Sequence, residues 1–96
     1  IQNLDKMEIE WDNNKAAANL LKHKIDFEDA KNIFLDTNCL EREDKRDYNE
    51  TIIQVIGIVN QVVLLVVYTK RNGRYRIISA RRANKNERRQ YYQSQT

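Results

Sequence analysis

The sequence predicts an α+β domain in which two N-terminal helices and one C-terminal helix pack on an antiparallel meander sheet. Three segments begin with helix-capping residues, and three consecutive apolar segments are separated by two tight-turn signals. A chain of 96 residues can bury one hydrophobic core and no second. We therefore expect a flexible leader over residues 1–6, which show no periodicity, and a single domain over residues 7–96.

The first predicted strand leads directly into the first predicted helix. Residues 7–11 alternate apolar and acidic side chains, a period of two that is typical of a half-buried strand. Asp12 suits the N-cap of a helix over residues 13–24, whose apolar positions recur at spacings of three and four. These positions are Ala17, Leu20 and Leu21. We expect them to form the buried face of this helix.

A second helix is predicted immediately after the first. Asp26 is placed to cap it, Asp29 occupies its third position, and Ile25 precedes the cap where it can contact Ala30. Its predicted buried face consists of Phe27, Ala30, Ile33 and Phe34. Both helices are interpreted as structural.

Three strands are predicted after a charged connection, residues 39–50, which has room for a short edge strand. The strands are the segments "TIIQVIGIV", "VVLLVVYT" and "RYRIISAR". Asn72-Gly73 is a strong tight-turn signal, because both residues tolerate positive φ, and Asn60-Gln61 is a weaker one. The run from Val62 to Val67 lacks alternation, so the middle strand should be covered on both faces.

The chain is predicted to end in a helix from about Asn84 to about Gln93. Asn84 and Glu87, which lie three residues apart, resemble a capping box.

Charge is distributed unevenly along the chain. From Lys70 onward there are nine Lys or Arg and one acidic residue, whereas the preceding residues contain eight basic and 13 acidic groups. Such a basic block attracts polyanions, nucleic acid above all, although its arginines can instead form surface ion pairs with the acidic residues of 41–50. The lone Cys39 allows no intrachain disulfide and no thiolate metal cluster. With no long apolar run, we expect a cytoplasmic protein.

Two segments, "EWDNNKAAANLLKHKIDFEDA" and "RYRIISARRANKNERRQYY", carry the pattern of a known family. The residues that carry it are Trp11, Asp12, Lys15, Asn19, Lys22, His23 and Phe27 in the first segment, and Arg76, Ser79, Ala80, Arg81, Ala83, Glu87, Arg88 and Tyr91 in the second. With these residues at this spacing and in this order, the chain resembles the BrnT family, the toxin halves of bacterial type II toxin–antitoxin pairs.

The resemblance implies a fold like that of the RelE ribonuclease toxins, and RNA cleavage that needs no metal or other cofactor. It also implies a co-transcribed, BrnA-like antitoxin that forms a heterocomplex with the toxin and binds operator DNA, with no role for a membrane. Lys24 departs from the family, which usually has glycine after the Lys-His pair. We therefore expect the first helix to end differently from the helices of its relatives.

RNA cleavage without a metal requires a base, cations that stabilise the phosphorane, and an acid. Arginine suits the second role, because its planar fork meets two phosphate oxygens and stays protonated. Strict alternation along the last strand places Arg76 on one face and Arg81 on the other. The resemblance favours both as catalytic residues, and a β-bulge near the strand end would bring them to one groove.

Three more catalytic candidates each have a structural alternative. His23 is either a general acid or base, or a favourable charge at the C-terminus of the first helix. Glu87 either completes the helix cap or orients an arginine, and neighbouring cations should lower its pKa. Tyr91 either stacks on a base or donates a proton, or it fixes the last helix to the sheet.

Further cations extend the predicted RNA-binding surface. These are Arg74, Arg82, Arg88, Lys15 and Lys22. The function predicted is an endoribonuclease toxin that inhibits translation and growth and is neutralised by its antitoxin. The alternative is a non-catalytic basic module that binds RNA or protein, since no strong acid–base pair is evident.

Overall fold

The computed structural model describes residues 6–44 and 49–95 and confirms the α+β class. In chain order, the elements are β1 (Ile9–Trp11), α1 (Asn13–His23), α2 (Phe27–Ala30), a 3-10 helix (Lys31–Leu35), β2 (Leu40–Asp44), β3 (Ile52–Val59), β4 (Val62–Arg71), β5 (Arg74–Arg82) and α3 (Lys85–Gln93). Residues 1–5 of the predicted leader lie outside the described residues. No helix within the two described ranges is long and apolar enough to cross a membrane.

The five strands form one mixed sheet in the order β1-β5-β4-β3-β2. The meander of β3, β4 and β5 is antiparallel as predicted, and the residues of both predicted turns have positive φ, from 48° at Asn60 to 78° at Gly73. The prediction of an antiparallel sheet was wrong for β1, which runs parallel to β5 with Ile9 opposite Tyr75. An alternating pattern reveals which side of a strand is buried but says nothing about its direction.

Helices cover both faces of the sheet. The first face, which carries Val66, packs against α2 and the 3-10 helix, with Phe27 in the shared core. The second face, which carries Leu65, packs against α3 through Tyr91. The short α3 covers only part of the second face, so that Val67 on β4 stays partly exposed.

The predicted N-caps Asp12, Asp26 and Asn84 are confirmed, since each accepts a backbone N–H bond through its side chain. The second predicted helix is α2 continued by the 3-10 helix, and its four apolar residues are buried as expected.

The predicted buried face of α1 was wrong. Leu20 and Leu21 are 45% and 76% exposed, whereas Asn19 is only 7% exposed. The Asn19 amide donates from Nδ2 to the Ala80 carbonyl oxygen at 2.8 Å, and its Oδ1 accepts from the Ala80 N–H at 3.1 Å. Because β1 ends at Trp11, the edge of β5 has no partner strand at Ala80, and the amide of Asn19 satisfies its backbone groups.

Lys24 ends α1 in the left-handed conformation, with φ 62° and ψ 27°. Its N–H donates to the Leu20 carbonyl oxygen at 2.9 Å, and its Nζ donates to the Leu21 carbonyl oxygen at 3.1 Å. The expectation that lysine would change the helix end was wrong, because Lys24 itself takes the conformation that favours glycine.

Candidate nucleic-acid interface

A β-bulge in β5 aligns the two arginines that strict alternation would separate. Ile78 is the extra residue, left without a partner where the register between β4 and β5 shifts. Arg76 pairs with Thr69 and Arg81 pairs with Leu65, four residues apart on β4 and therefore on the same face. The predicted bulge is confirmed, and both arginines belong to the second face of the sheet.

The Arg81 guanidinium is held by Glu87 in a two-pronged ion pair. Its Nη1 and Nη2 each lie 2.9 Å from a different carboxylate oxygen of Glu87. Glu87 is 5% exposed and also accepts the Asn84 N–H at 2.8 Å, which completes the predicted capping box. The Arg81 guanidinium and the Asn84 N–H lower the pKa of the Glu87 carboxyl in spite of its burial. Glu87 is therefore an ionised group that orients Arg81.

Arg42 joins this pair, although no motif in the sequence pointed to it. Its Nη2 lies 3.8 Å from the Glu87 carboxylate, and its Nε donates to Oε1 of Gln54 at 2.7 Å. Arg42 is half-exposed on β2, opposite Gln54 of β3. The only available signal was the alternation within the charged connection, which becomes informative once the register between β2 and β3 is known.

A row of side chains crosses the second face from β2 to β5. Each member is directly opposite the next, and all are at least partly exposed. The cross-strand row consists of Arg42, Gln54, Val67 and Ser79. Arg81 lies two residues beyond its β5 end, and Arg76 lies on the other side of the bulge. Two arginine clusters, Arg42 with Arg81 and Arg74 with Arg76, therefore border a strip that offers an amide and a hydroxyl for hydrogen bonding.

Arg76, a predicted catalytic residue, and Arg74, a predicted RNA-binding residue, are paired with carboxylates in or next to β1. Arg76 Nη1 donates to Glu10 at 2.7 Å, and Arg74 contacts Glu8 at 3.0 Å and Glu10 at 3.6 Å. The bond from Arg76 lowers the pKa of the Glu10 carboxyl. In the part of the chain that the structure describes, these two arginines pair with Glu8 and Glu10, whereas Arg71 of the basic block does pair with the acidic segment, at 3.0 Å from Glu50.

The two other predicted catalytic residues are Tyr91 and His23. Tyr91 is buried against the second face, and its hydroxyl donates to Asp36 Oδ2 at 2.6 Å. Burial and this bond raise the pKa of Tyr91, which fixes α3 to the sheet as its structural alternative predicted. His23 is the last residue of α1 and is partly exposed, one turn beyond Asn19.

The remaining cations are distributed over several surfaces. Arg82 pairs with Leu64 and so projects from the first face, where it borders a pocket of about 130 Å³. Arg88 is exposed on α3 and donates to the Ala83 carbonyl oxygen at 2.8 Å. Lys15 and Lys22 are exposed on α1. Together these positions show that the predicted RNA-binding residues do not form one continuous patch.

Residues 11–87 match the family model described as the ribonuclease toxin, BrnT, of type II toxin–antitoxin systems. This match covers most of the chain, from Trp11 to Glu87, and the chain therefore belongs to the BrnT family. The predicted resemblance is confirmed, and the family itself implies an RNA target and an antitoxin partner. No curated protein matches the chain.

Proposed function

We propose that this member of the BrnT family is an endoribonuclease with a RelE-like fold, which cleaves RNA without a metal and so inhibits translation and growth. The observation that carries the proposal is the arrangement of Arg42 and Arg81 against Glu87 on an open sheet face. The two guanidinium groups share one carboxylate, so the cluster keeps a net positive charge. Fixed cations of this kind stabilise the negative charge that develops on a phosphorane.

The cross-strand row gives the RNA a path between the two arginine clusters. We assign Arg42 and Arg81 to the scissile phosphate and Arg76 to a neighbouring phosphate. Gln54 and Ser79 lie between them and provide hydrogen-bonding groups for a ribose or a base. Arginine suits both phosphate positions, because its fork binds two oxygens at once.

Proton transfer is not assigned to Glu87 or Tyr91. The lowered pKa of Glu87 and its bonds to Arg81 make it a poor base, and the Tyr91 hydroxyl is already bound to Asp36. We retain His23 as the candidate acid or base, because histidine is the side chain that most often transfers protons in enzyme active sites.

A single-stranded RNA tests the reaction directly. The purified protein is incubated with this RNA in EDTA, beside the same RNA with scattered 2′-deoxy positions. We expect cleavage to persist in EDTA and to stop at the deoxy positions, because the 2′-hydroxyl is the nucleophile. Cleavage that EDTA abolishes and Mg²⁺ restores would contradict the metal-free mechanism.

Neighbouring arginines provide a matched test of the site. We expect Arg81→Ala to lower the cleavage rate by about two to three orders of magnitude, the usual effect of losing one fixed donor, and Arg42→Ala by at least about tenfold. Arg82→Ala is the control, because Arg82 projects from the opposite face and should change the rate by no more than about threefold. An unchanged cleavage rate in Arg81→Ala would show that Arg81 is not part of the site.

A second candidate function is suggested because Glu87 and Tyr91 are already bound to Arg81 and Asp36, which leaves neither of them free for proton transfer. A non-catalytic module would bind RNA with an affinity that falls steeply with salt but would yield no product. A discrete product that disappears in Arg81→Ala would exclude this candidate.

The proposed toxin requires a partner that restrains it. We propose a heterocomplex with a co-transcribed, BrnA-like antitoxin, which carries the DNA-binding domain that contacts the operator. Both proteins should purify together when they are expressed from the native operon. A free, fully active and non-toxic protein would contradict this arrangement.

A further inference from the structure

The outward face of α1 is apolar, although this helix lies on the surface. Leu21 is the most exposed large apolar side chain within the described residues, and its neighbours on this face are mostly small. We define the α1 face as Ala17, Ala18, Leu20 and Leu21. A surface helix normally directs its apolar residues inward and its polar residues outward, so this arrangement is the reverse of the usual one.

The attachment of α1 to the sheet leaves Leu20 45% exposed and Leu21 76% exposed. Asn19 holds the helix through its bonds to Ala80 and through a bond from Nδ2 to the Ile25 carbonyl oxygen at 3.0 Å. Ala16 is the apolar residue of α1 that packs against the main core. The leucines are therefore available for a contact outside the described chain.

Charge and shape restrict what this contact can be. The segment from Asn13 to His23 contains no acidic residue, and exposed Lys15, Lys22 and Lys24 surround the α1 face. The small side chains of Ala17 and Ala18 allow another helix to approach closely beside Leu21. An amphipathic helix with an apolar stripe and acidic flanks complements this surface.

We propose that the α1 face is the docking surface for an acidic amphipathic helix of the antitoxin. The inference rests on the proposed function, because it takes the partner from there. A second copy of the chain fits poorly, since a symmetric contact would bring the same lysines of both copies together.

The position of α1 links this docking surface to the arginine clusters. Arg71, which bonds to Glu50, is the main cause of the lowered pKa of that carboxyl, and Arg76 and Lys15 of α1 lie near enough to contribute. A helix bound along α1 therefore leads its own chain toward Arg76, which lies next to the β5 end of the cross-strand row. Such a continuation would cover the site and block RNA.

Binding of the purified antitoxin, the product of the adjacent co-transcribed gene, tests the surface. We expect Leu21→Glu to raise the Kd for the antitoxin by about 100-fold, because a buried apolar anchor becomes a charge beside an acidic partner. Leu35→Glu is the matched control, because Leu35 is 46% exposed on the 3-10 helix and should change the Kd by no more than about threefold. Equal losses in both variants, or no loss in Leu21→Glu, would overturn the assignment.

Two further measurements separate this inference from the proposed function. Leu21→Glu should cleave RNA at the wild-type rate yet escape neutralisation by the antitoxin in growth assays, which also shows that it folds. The Kd comparison needs no cleavage, so it decides the docking surface even if the chain proves inactive on RNA. A wild-type dimer in light scattering that Leu21→Glu dissociates, with antitoxin binding intact, would overturn the proposal in favour of a second copy.

Discussion

Glu87 connects the last helix to the candidate site through a single carboxylate. It accepts the N–H of Asn84 at the start of α3, holds Arg81 by two bonds, and lies 3.8 Å from Arg42. Formation of the helix cap and orientation of the two arginines are therefore coupled. A change at Glu87 should disturb stability and RNA cleavage together.

The coupling predicts a pH-dependent stability difference. The folded-state pKa of Glu87 is lowered, mainly by Arg81, so its carboxylate stabilises the fold above the unfolded pKa of about 4.3, and this contribution is lost as pH falls through the folded pKa. We expect Glu87→Gln to lower the free energy of unfolding by roughly 1–3 kcal/mol at pH 7, and by progressively less below about pH 4.

Urea unfolding of both proteins at several pH values measures this difference. The exposed carboxylate of Glu28 gives the control, Glu28→Gln, which should show little effect at any pH. A Glu87→Gln difference that stays constant from pH 7 to acid pH would show that the carboxylate charge contributes nothing.

Lys24 adopts a backbone conformation that a lysine side chain disfavours. Its φ of 62° costs a non-glycine residue on the order of 1 kcal/mol, partly offset because glycine loses more entropy on folding. We expect Lys24→Gly to raise the free energy of unfolding by about 0.5 kcal/mol, measured by thermal unfolding. Lys22→Gly, inside α1, should lower it by about 1 kcal/mol. Equal destabilisation by both would show that the bond from Lys24 Nζ to Leu21 outweighs the strain.

At the scale of elements, side chains complete the sheet edges that two short strands leave open. Asn19 pairs with the backbone of Ala80 beyond the end of β1, and Asp36 accepts the N–H of Ile58 at 2.8 Å before the start of β2. Both side chains thereby anchor a connecting segment to the meander. An open edge would leave buried backbone groups unsatisfied.

Because Asn19 pairs with the edge of β5, we expect its substitution to have a large effect on stability, although most of α1 is exposed. We expect Asn19→Ala to lower the free energy of unfolding by about 2–4 kcal/mol, because it leaves both backbone groups of Ala80 without a partner. Asn14→Ala is the matched control, since Asn14 is exposed on the same helix and should change little. Similar values for the two variants in urea unfolding would contradict the edge role.

Element boundaries were largely predictable, but the orientation of α1 was not. Capping residues and the two turns are local signals, and Asp12, Asn84 and Asn72 behaved as the sequence predicted. The apolar spacing of Leu20 and Leu21 indicates a face of the helix without saying what covers it. A partner outside the chain leaves the same periodic signal as a core inside it.

At the scale of the whole molecule, the basic C-terminal block is partly neutralised by the acidic N-terminal part. The sequence revealed this asymmetry, and the family resemblance selected Arg76, Arg81 and Glu87 from one motif near the end of the chain. It could not reveal Arg42, whose contact with Glu87 depends on the order and register of four strands. The contact of Arg76 with Glu10 depends likewise on the parallel pairing of β1.

The pairing of Arg76 with Glu10 predicts an unusual salt dependence of RNA binding. In the wild type, Glu10 neutralises Arg76, so contact of Arg76 with an RNA phosphate brings no net positive charge to the RNA and releases no cation from it. In Glu10→Gln the arginine is no longer neutralised. We expect this variant to bind single-stranded RNA about fivefold more tightly at low salt, with a slope of log K against log salt concentration steeper by about 0.7. Glu28→Gln, which removes a carboxylate paired with Lys31 elsewhere, should leave the slope unchanged. Titrations across a range of KCl concentrations measure both slopes, and parallel lines for Glu10→Gln and the wild type would show that Arg76 does not contact phosphate.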